Sequence, residues 1–221
     1  MTSSAADVAS EYKAVLFDFG GVILSSPFDA FADYERANGL PENFLRTINA
    51  TNHTDNAWAK LERSEVDIEG FAPLFEAEAR AAGHKVDARA VLALLAGVIR
   101  PEMVRALDAI RAAGLSTACL TNNFVSFDDF PGEARATDRD EVLARFDVII
   151  ESSKIGVRKP DPRFYEIACE TLGVVPEECV FLDDLGVNLK PARAMGMTTI
   201  KVDDPANALA VLEAALGFSV A

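Results

Sequence analysis

The stretch Lys13–Ile23 reads KAVLFDFGGVI, and it decides the fold of this chain. Its first half is a nearly continuous apolar run that ends at Asp18 and the pair Gly20-Gly21, which is typical of a strand buried on both faces that stops at a turn. Similar runs recur at Leu115–Leu120, Asp147–Ile150, Cys179–Leu182 and Thr198–Val202. We therefore expect these runs to form the strands of one central sheet.

Helix-like stretches lie between the strand-like runs, at Pro101–Ala113, Pro162–Leu172 and Leu189–Met195. Strands that alternate with helices predict a parallel sheet with right-handed crossover connections. The expected fold class is therefore α/β, with a Rossmann-like parallel sheet as its core.

Two stretches interrupt this alternation. The first, Phe28–Gly97, is rich in Ala, Glu, Leu and Phe and repeatedly places apolar residues three or four positions apart, which predicts a helical insertion after the first strand. It divides the chain into a core of residues 1–26 and 98–221 and a helical cap of residues 27–97. The second, Phe124–Asp140, is acidic and contains a Pro-Gly pair. We interpret it as a surface excursion with partial disorder.

Composition limits the class of protein. The chain has 221 residues, of which 50% are hydrophobic and 25% charged, and 35 acidic residues against 21 basic ones give a net charge of −14. This is a globular composition, unlike that of disordered or low-complexity chains. The acidity argues against a sequence-independent nucleic-acid binder, because such proteins neutralise phosphates with clustered Lys and Arg.

The cysteines and the apolar runs bear on location. Cys119, Cys169 and Cys179 are odd in number and lack C-x-x-C spacing, so neither a disulfide framework nor a zinc site is indicated. Residues Met1–Glu11 lack the basic and apolar regions of a secretory signal, and the chain has no run of about 18 apolar residues. We expect a cytoplasmic protein with no membrane or nucleic-acid partner.

Polar residues follow four of the strand-like runs: Asp18, Thr121-Asn122-Asn123, Lys159 and Asp183-Asp184. The carboxyl ends of the strands converge in an open parallel sheet, so these residues can share one crevice. Three carboxylates there would repel one another unless a cation lay between them, and all-oxygen ligands favour Mg²⁺. A metal beside a carboxylate, a hydroxyl and a lysine is what attack on a phosphoryl group requires.

The order of these residues resembles the motif order of the haloacid dehalogenase superfamily. The strings LFDFGGVI, LTNN, SSKIGVRKPDPRFYEIA and VFLDDLGVNLKPARAMGMTTI are similar to the branch that contains the N-terminal domains of soluble epoxide hydrolase and of an acyl-CoA dehydrogenase family member. The resemblance runs from about Lys13 to Val202. It implies that the helical insertion is a cap that closes over the site, excludes water and selects the leaving group.

The resemblance also implies a nucleophile and a metal site. Asp18 would form an aspartyl-phosphate. Asp18, the backbone carbonyl of Gly20 and the side chain of Asp184 would hold Mg²⁺, with Asp183 acting through water or as a weaker ligand. Asn188, one helical turn after Asp184, would brace this ligand set.

The same resemblance implies a phosphate site. Thr121, the backbone of Asn122 and the neighbouring Asn123 would bind phosphate oxygens, and Lys159 would neutralise the phosphoryl group and tether Asp18. The segment Lys154–Arg163 carries four basic residues against one acidic residue, which places positive charge where phosphate neutralisation is needed. For Arg158 and Arg163, which flank Lys159, we expect solvent exposure.

The sequence departs from the superfamily pattern at Gly20. Its phosphatases usually carry an Asp there, which protonates the leaving oxygen, and such general acid catalysis typically contributes ~10²–10⁴ in rate. We therefore keep three hypotheses: a Mg²⁺-dependent phosphatase of a small phosphorylated metabolite, an enzyme that cleaves a carbon–halogen or carbon–phosphorus bond, and a domain that binds a phosphorylated ligand or a partner without turnover.

The retained residues favour the phosphatase. Dehalogenases need no magnesium, so the Asp183-Asp184 pair argues against them, and a phosphonatase would need a cap lysine, for which Lys60 and Lys85 are the candidates on expected solvated helix faces. The intact Asp18, Lys159 and Thr121 argue against a domain that only binds. The natural substrate and the oligomeric state are not predicted by the sequence.

Overall fold

Five parallel strands form the central sheet, in the order β3-β2-β1-β4-β5. The computed structural model describes residues 12–123 and 133–220. The strands are β1 (Ala14–Phe17), β2 (Ser116–Thr121), β3 (Val148–Glu151), β4 (Cys179–Asp183) and β5 (Thr198–Lys201). Each lies within one residue of its predicted bounds at either end, so the predicted parallel α/β core is confirmed.

Helices connect the strands and account for most of the remaining described chain. They are α1 (Phe28–Ala37), α2 (Phe44–Ala50), α3 (Ala57–Glu62), α4 (Ile68–Ala81), α5 (Ala88–Ala93), α6 (Pro101–Ala112), α7 (Glu133–Leu143), α8 (Ser152–Ile155), α9 (Pro162–Leu172), α10 (Gly186–Ala194) and α11 (Pro205–Leu216). In the described ranges, none of them has the length and apolar content needed to cross a membrane.

The register of the sheet sets the site. Phe17 of β1 lies opposite Cys119 of β2 and Leu182 of β4, so the residues just beyond these three positions reach the same edge. Strands β1 and β4 are buried along their whole length, as expected for strands covered by helices on both faces. The carboxyl edge of the sheet therefore presents a few polar side chains above an apolar core.

One predicted stretch differs from the structure. Residues 133–140 belong to α7, whereas we expected an irregular excursion over Phe124–Asp140; residues 124–132 lie outside the described part of the chain. Helix α7 is highly polar and shows no apolar stripe in its sequence, so periodicity could not reveal it. Buried Val142 near its end and buried Phe146 just beyond it join the core.

Three apolar clusters build the molecule. Alternate β1 residues point to two clusters on opposite faces of the sheet, with Val15 and Phe17 in one and Ala14 and Leu16 in the other. The third cluster draws its buried residues from the stretch between Phe31 and Leu92. Helices α1–α5 thus pack around a core of their own, which supports a cap of residues 27–97; that boundary stays a proposal.

Two linkers join this helical insertion to the sheet. The amide of Ser25 donates to the carbonyl of Val98 at 2.8 Å, and the amide of Val98 donates to the Ser25 hydroxyl at 3.0 Å. Leu24 and Ile99 form an antiparallel bridge beside them. The linkers therefore run as a narrow hydrogen-bonded pair above β1, which we call the hinge (residues 24–27 and 97–100).

Candidate active site

Asp18 lies directly after β1, at the start of a wide turn over Phe19–Ile23. Its Oδ1 accepts a hydrogen bond from the backbone amide of Phe19 at 2.6 Å, and its side chain is largely buried. The turn closes through a bond from the Leu24 amide to the Phe19 carbonyl at 2.8 Å. The arrangement holds the carboxylate of Asp18 at the carboxyl edge of the sheet.

Lys159 joins two of the predicted carboxylates. Its Nζ lies 2.9 Å from Oδ2 of Asp18 and 2.8 Å from Oδ2 of Asp183, and only 1% of its side chain is exposed. The ammonium also lies 5.6 Å from the centre of the Phe181 ring, within the range of a cation–π contact. The predicted tether between Lys159 and Asp18 is therefore present, and it extends to Asp183.

Asp183 is fully buried and surrounded by donors. Its carboxylate accepts from the Leu185 amide at 2.8 Å and from Nδ2 of Asn188 at 3.0 and 3.1 Å, besides the bond from Lys159. Within the predicted ligand set, Asn188 therefore braces Asp183. The hydroxyl of Tyr165 in turn donates to the carbonyl of Asn188 at 2.6 Å. These bonds leave Asp183 better suited to position Lys159 than to bind a metal directly.

Asp184 faces the turn that carries Asp18. Its Oδ2 lies 3.4 Å from the Ser26 hydroxyl in the hinge, and a Cβ atom at Gly21 would overlap its carboxylate. Gly21 also has φ +76°, a left-handed conformation that side chains rarely adopt. Glycine at position 21 thus allows backbone to approach the carboxylate closely, while Arg100 pins the turn by donating to the Gly21 carbonyl at 2.7 Å.

Within residues 12–123 and 133–220, the carboxylates of this cluster outnumber the cationic side chains that pair with them. Burial, together with the charges of Asp183 and Asp184, raises the pKa of Asp18 well above its usual range, although Lys159 opposes the shift. Burial and the charge of Asp183 raise the pKa of Asp184 to about 6. Burial alone would lower the pKa of Lys159, but the charges of Asp18 and Asp183 outweigh it and raise that pKa. One ammonium thus serves three carboxylates.

A divalent cation fits this surplus of negative charge. Oxygen atoms of Asp18, Asp183 and Asp184 all lie within 4.8 Å of one another, and the donors are hard oxygens, which Mg²⁺ prefers. Because Asp183 already accepts several hydrogen bonds, Asp18 and Asp184 are the side chains that could hold the ion. The carbonyl of Gly20, in the turn between them, stays a predicted third ligand.

The phosphate-site candidates after β2 divide into two kinds. Thr121 ends the strand, half-buried, two residues beyond the partner of Phe17. Asn122 uses its side chain on Lys159: Nδ2 donates to the Lys159 carbonyl at 3.0 Å, and Oδ1 accepts from the Lys159 amide at 2.9 Å. The Asn122 side chain thus holds the backbone that presents Lys159. Phosphate binding by Thr121 and by the backbone of Asn122 stays a prediction.

Asn123 is committed to the β3–α8 corner. Its Nδ2 donates to Glu151 at 2.7 Å, its Oδ1 accepts from the Ser153 hydroxyl at 2.8 Å, and its amide donates to the Ser152 hydroxyl at 3.0 Å. Phosphate binding by Asn123 stays a prediction, and these bonds assign its side chain a structural task.

Three side chains around the site were missed or misjudged in the sequence. Arg158 was expected in solvent, but its side chain is only 20% exposed and its Nε lies 2.5 Å from Oε2 of Glu62. Tyr165 and Arg100 support the site by donating hydrogen bonds to backbone carbonyls. Because every residue has a backbone carbonyl, no sequence motif marks such contacts. Arg163, by contrast, pairs with Glu166 and Glu170 on an exposed helix face, as expected. Lys85 lies in an exposed loop rather than on a helix.

Known proteins share this chain's sequence pattern. A protein named Acyl-CoA dehydrogenase family member 10 from Mus musculus is 37% identical over 94% of this chain, which spans 19% of that protein. Bifunctional epoxide hydrolase 2 from Sus scrofa is 33% identical over 93% of this chain and 39% of its own length. A protein named as a phosphatase from Mycobacterium tuberculosis is 32% identical, over 86% of this chain and 87% of its own. The chain thus spans well under half of the first two relatives.

The chain is also similar to a protein named as a dehalogenase and to solved structures. A protein named (S)-2-haloacid dehalogenase 1 from a Pseudomonas species is 35% identical over 47% of this chain and 43% of its own. The crystal structure of a dehalogenase is 20% identical with a TM-score of 0.62, covering 87% of this chain and 85% of that one. An enzyme from Bacteroides thetaiotaomicron, solved with magnesium and inorganic phosphate, is 20% identical with a TM-score of 0.56, covering 86% and 93%. At such identity the solved structures bear on the fold alone.

The family assignment rests on a family model that matches most of the chain. The profile of the haloacid dehalogenase-like hydrolases covers residues 12–196, which include every described residue of the candidate site. The parallel sheet, the helical insertion after β1 and the residues at the carboxyl edge agree with it. The chain therefore belongs to the haloacid dehalogenase-like hydrolase family.

Proposed function

We propose that this protein is a Mg²⁺-dependent phosphatase that hydrolyses a small phosphorylated metabolite through an aspartyl-phosphate on Asp18. The observation that carries the proposal is the carboxylate cluster, in which three acidic side chains lie together and Lys159 pairs with two of them, Asp18 and Asp183. A dehalogenase has no use for a cation at Asp184, whereas a phosphoryl group brings further negative charge to the same place. The relative named as a phosphatase, matched along nearly its whole length, supports the same choice.

The nucleophile is prepared by its neighbours. The amide of Phe19 and the ammonium of Lys159 both bind the Asp18 carboxylate, which fixes the orientation of its oxygens. Asp18 and Asp184 would hold Mg²⁺, and the bound ion would supply positive charge that offsets the charge on the phosphoryl oxygens. One Asp18 oxygen then forms the bond to phosphorus as the leaving oxygen departs, and water later cleaves the acyl phosphate to restore the carboxylate.

The leaving group receives little help from position 20. Gly20 carries no acid, so the leaving oxygen must take its proton from solvent or leave as a stable anion. We therefore propose that aryl or acyl phosphates are turned over faster than alkyl phosphates. The cytoplasmic location stays part of the proposal, supported by three buried free cysteines, which are typical of a reducing compartment.

A specific observation also favours a second candidate, a 2-haloacid dehalogenase. The missing acid at Gly20 would not matter for a halide leaving group, and dehalogenases are among the relatives. In that reaction Asp18 would displace halide from carbon to form an ester, which water would hydrolyse. Lys159 would still hold the nucleophile, but the carboxylate of Asp184 would have no cation to bind.

The test measures two products from one preparation. Phosphate release from p-nitrophenyl phosphate is measured with Mg²⁺ and with a chelator, and chloride release from 2-chloropropionate is measured under both conditions. We expect phosphate release with Mg²⁺ to be at least ~10³-fold faster than with chelator, because Lys159 alone would then offset the negative charge of the phosphoryl group beside Asp18. Chloride release that persists with chelator would favour the dehalogenase instead.

Asp18→Asn serves as the matched control variant, since it keeps the size of the side chain and its bond to the Phe19 amide while removing the nucleophile. We expect it to lose phosphate release entirely and to retain no acid-stable, alkali-labile phosphate after a quench. Full activity in Asp18→Asn would show that the nucleophile lies elsewhere.

A further inference from the structure

The helical insertion touches the core at a second place, away from the hinge. Arg158 lies in the loop after α8, and its Nε is 2.5 Å from Oε2 of Glu62 at the end of α3. Its Nη1 also donates to the carbonyl of His53 at 2.9 Å. One core side chain thus binds both a carboxylate and a backbone carbonyl of the cap.

A second contact lies beside this pair. The hydroxyl of Ser64 donates to the carbonyl of Ser153 at 2.9 Å, which joins the end of α3 to α8. Helix α8 follows β3, the edge strand, whereas the hinge stands above β1, two strands away in the sheet. The cap is therefore attached covalently above β1 and non-covalently above β3.

The ion pair is largely withdrawn from water. Side-chain exposure is 20% for Arg158 and 15% for Glu62, and burial raises the pKa of Glu62 even though Arg158 opposes that shift. Such a buried pair adds little to stability compared with apolar packing, but breaking one partner is costly because it leaves a buried charge unpaired. A pair of this kind serves best to fix one relative position of the elements that carry it.

The loop that carries Arg158 also carries Lys159. The backbone amide and carbonyl of Lys159 are both held by the Asn122 side chain, and its ammonium reaches Asp18. Displacement of Arg158 toward solvent would pull on the residue next to it, so the positions of the cap and of the lysine are mechanically linked through one peptide bond.

We propose that Arg158 and Glu62 are positioning residues that form a latch, through which closure of the cap holds Lys159 against Asp18. This inference rests on the proposed function for its effect on turnover, but not for its structural content. Opening of the cap at the hinge must break the latch and frees the Lys159 loop. Binding of a substrate under the cap restores both together, so the lysine is in place when the site is closed.

The latch is tested by hydrogen–deuterium exchange and by kinetics. Glu62→Gln, Arg158→Gln and the double variant are compared with Arg163→Gln, which removes the same positive charge as Arg158→Gln but from an exposed ion-paired site nearby. In Glu62→Gln we expect amides of residues 152–161 and 57–64 to exchange at least tenfold faster than in wild type. We expect kcat for p-nitrophenyl phosphate to fall about tenfold with KM changed less than threefold.

The double variant separates a latch from two independent sites. If Glu62 and Arg158 act through each other, the double variant exchanges no faster than the more affected single variant. Exchange in Glu62→Gln equal to that in Arg163→Gln, or additive effects in the double variant, would overturn the proposal. Should Glu62→Gln fail to fold by circular dichroism, Arg158→Gln and Ser64→Ala decide the same question from the core side and from the second contact.

The exchange readout needs no substrate. A wild-type protein that releases no phosphate would therefore refute the proposed function while the exchange data still decide the latch. Conversely, an active phosphatase whose loop exchange ignores Glu62→Gln would refute the latch alone.

Discussion

Adjacent glycines at the nucleophile turn do different things. Gly20 is exposed with φ −68° and ψ 132°, a conformation open to any residue, and a Cβ atom there would have no described neighbour within 4 Å. Gly21 has φ +76°, and its Cβ would overlap Asp184. Position 20 therefore lacks an acidic side chain although there is room for one, whereas position 21 must be glycine for steric reasons.

This contrast predicts the outcome of Gly20→Asp. The new carboxyl group has room and stands two residues after the nucleophile, where it can protonate a leaving oxygen. We expect hydrolysis of a simple alkyl phosphate to rise by ~10² or more, because general acid catalysis typically contributes ~10²–10⁴ in rate and matters most for a poor leaving group. Hydrolysis of p-nitrophenyl phosphate should change less than threefold, since that leaving group needs no proton. The measurement is kcat/KM on both substrates.

Gly21→Ala is the steric counterpart of Gly20→Asp and should displace Asp184. We expect it to lose most magnesium-dependent activity on both substrates. Equal effects of Gly20→Asp on the two phosphates would contradict the leaving-group argument, and a fully active Gly21→Ala would contradict the close approach to Asp184.

Among individual residues, sequence motifs predicted the side chains of the charged cluster, but not the side chains that hold the backbone of other residues. Asp18, Lys159 and Asp183 come together as their motifs predicted. Tyr165 and the Asn122 side chain work through carbonyl and amide groups of other residues, and any residue type supplies those. The burial of Arg158 was not predicted because its partner, Glu62, lies 96 positions earlier in the chain. The apolar periodicity of that segment predicts helices but does not show where they pack against the sheet domain.

Among the helices, α10 lies with its first turn beside Asp183 in the site. It begins at Gly186, three residues before the predicted Leu189, because Gly, Val and Asn are weak helix formers that conceal the start. The Leu185 amide just before it and the Asn188 side chain within it both donate to Asp183. The helix therefore binds the carboxylate with groups that the apolar pattern of the sequence does not report.

Asn188→Ala tests that support. The change leaves part of a buried carboxylate without donors, which costs about 1–3 kcal/mol, while alanine itself favours the helix. We therefore expect the free energy of unfolding in urea to fall by about 1–3 kcal/mol. Lys190→Ala, at an exposed position of the same helix, should change it by less than about 0.5 kcal/mol. Equal values for the two variants would mean that Asn188 does not support Asp183.

For the whole molecule, charge placement matters more than the net charge of −14. Three of the four basic residues in Lys154–Arg163 pair with carboxylates outside the site: Lys154 with Glu151, Arg158 with Glu62, and Arg163 with Glu166 and Glu170. Within that segment the positive charge offered to a phosphate is that of Lys159. Fewer positive charges therefore face the expected phosphate position than the composition of this segment indicated. This shortage of positive charge supports the proposal that a cation binds there.

Removal of the Asp184 carboxylate should change the stability of the metal-free protein, because it relieves the repulsion among the three clustered carboxylates. The pKa of Asp184 is raised to about 6 in the folded state, against about 3.9 in an unfolded chain. The folded state thus holds a proton that the unfolded state releases, and stability falls as pH rises through this window. With chelator at pH 7, we expect Asp184→Asn to be more stable than wild type by about 2–3 kcal/mol, and the difference should vanish near pH 4.

Magnesium should reverse that ranking at pH 7, because the cation stabilises the wild-type carboxylates and has lost a ligand in Asp184→Asn. Unfolding in urea at three pH values, with chelator and with excess Mg²⁺, measures both effects. Asp203→Asn, which alters an exposed carboxylate paired with Lys201, should track wild type throughout. A metal-free wild type more stable than Asp184→Asn at pH 7 would mean that the cluster is balanced without a cation, and the magnesium site would then lose its physical basis.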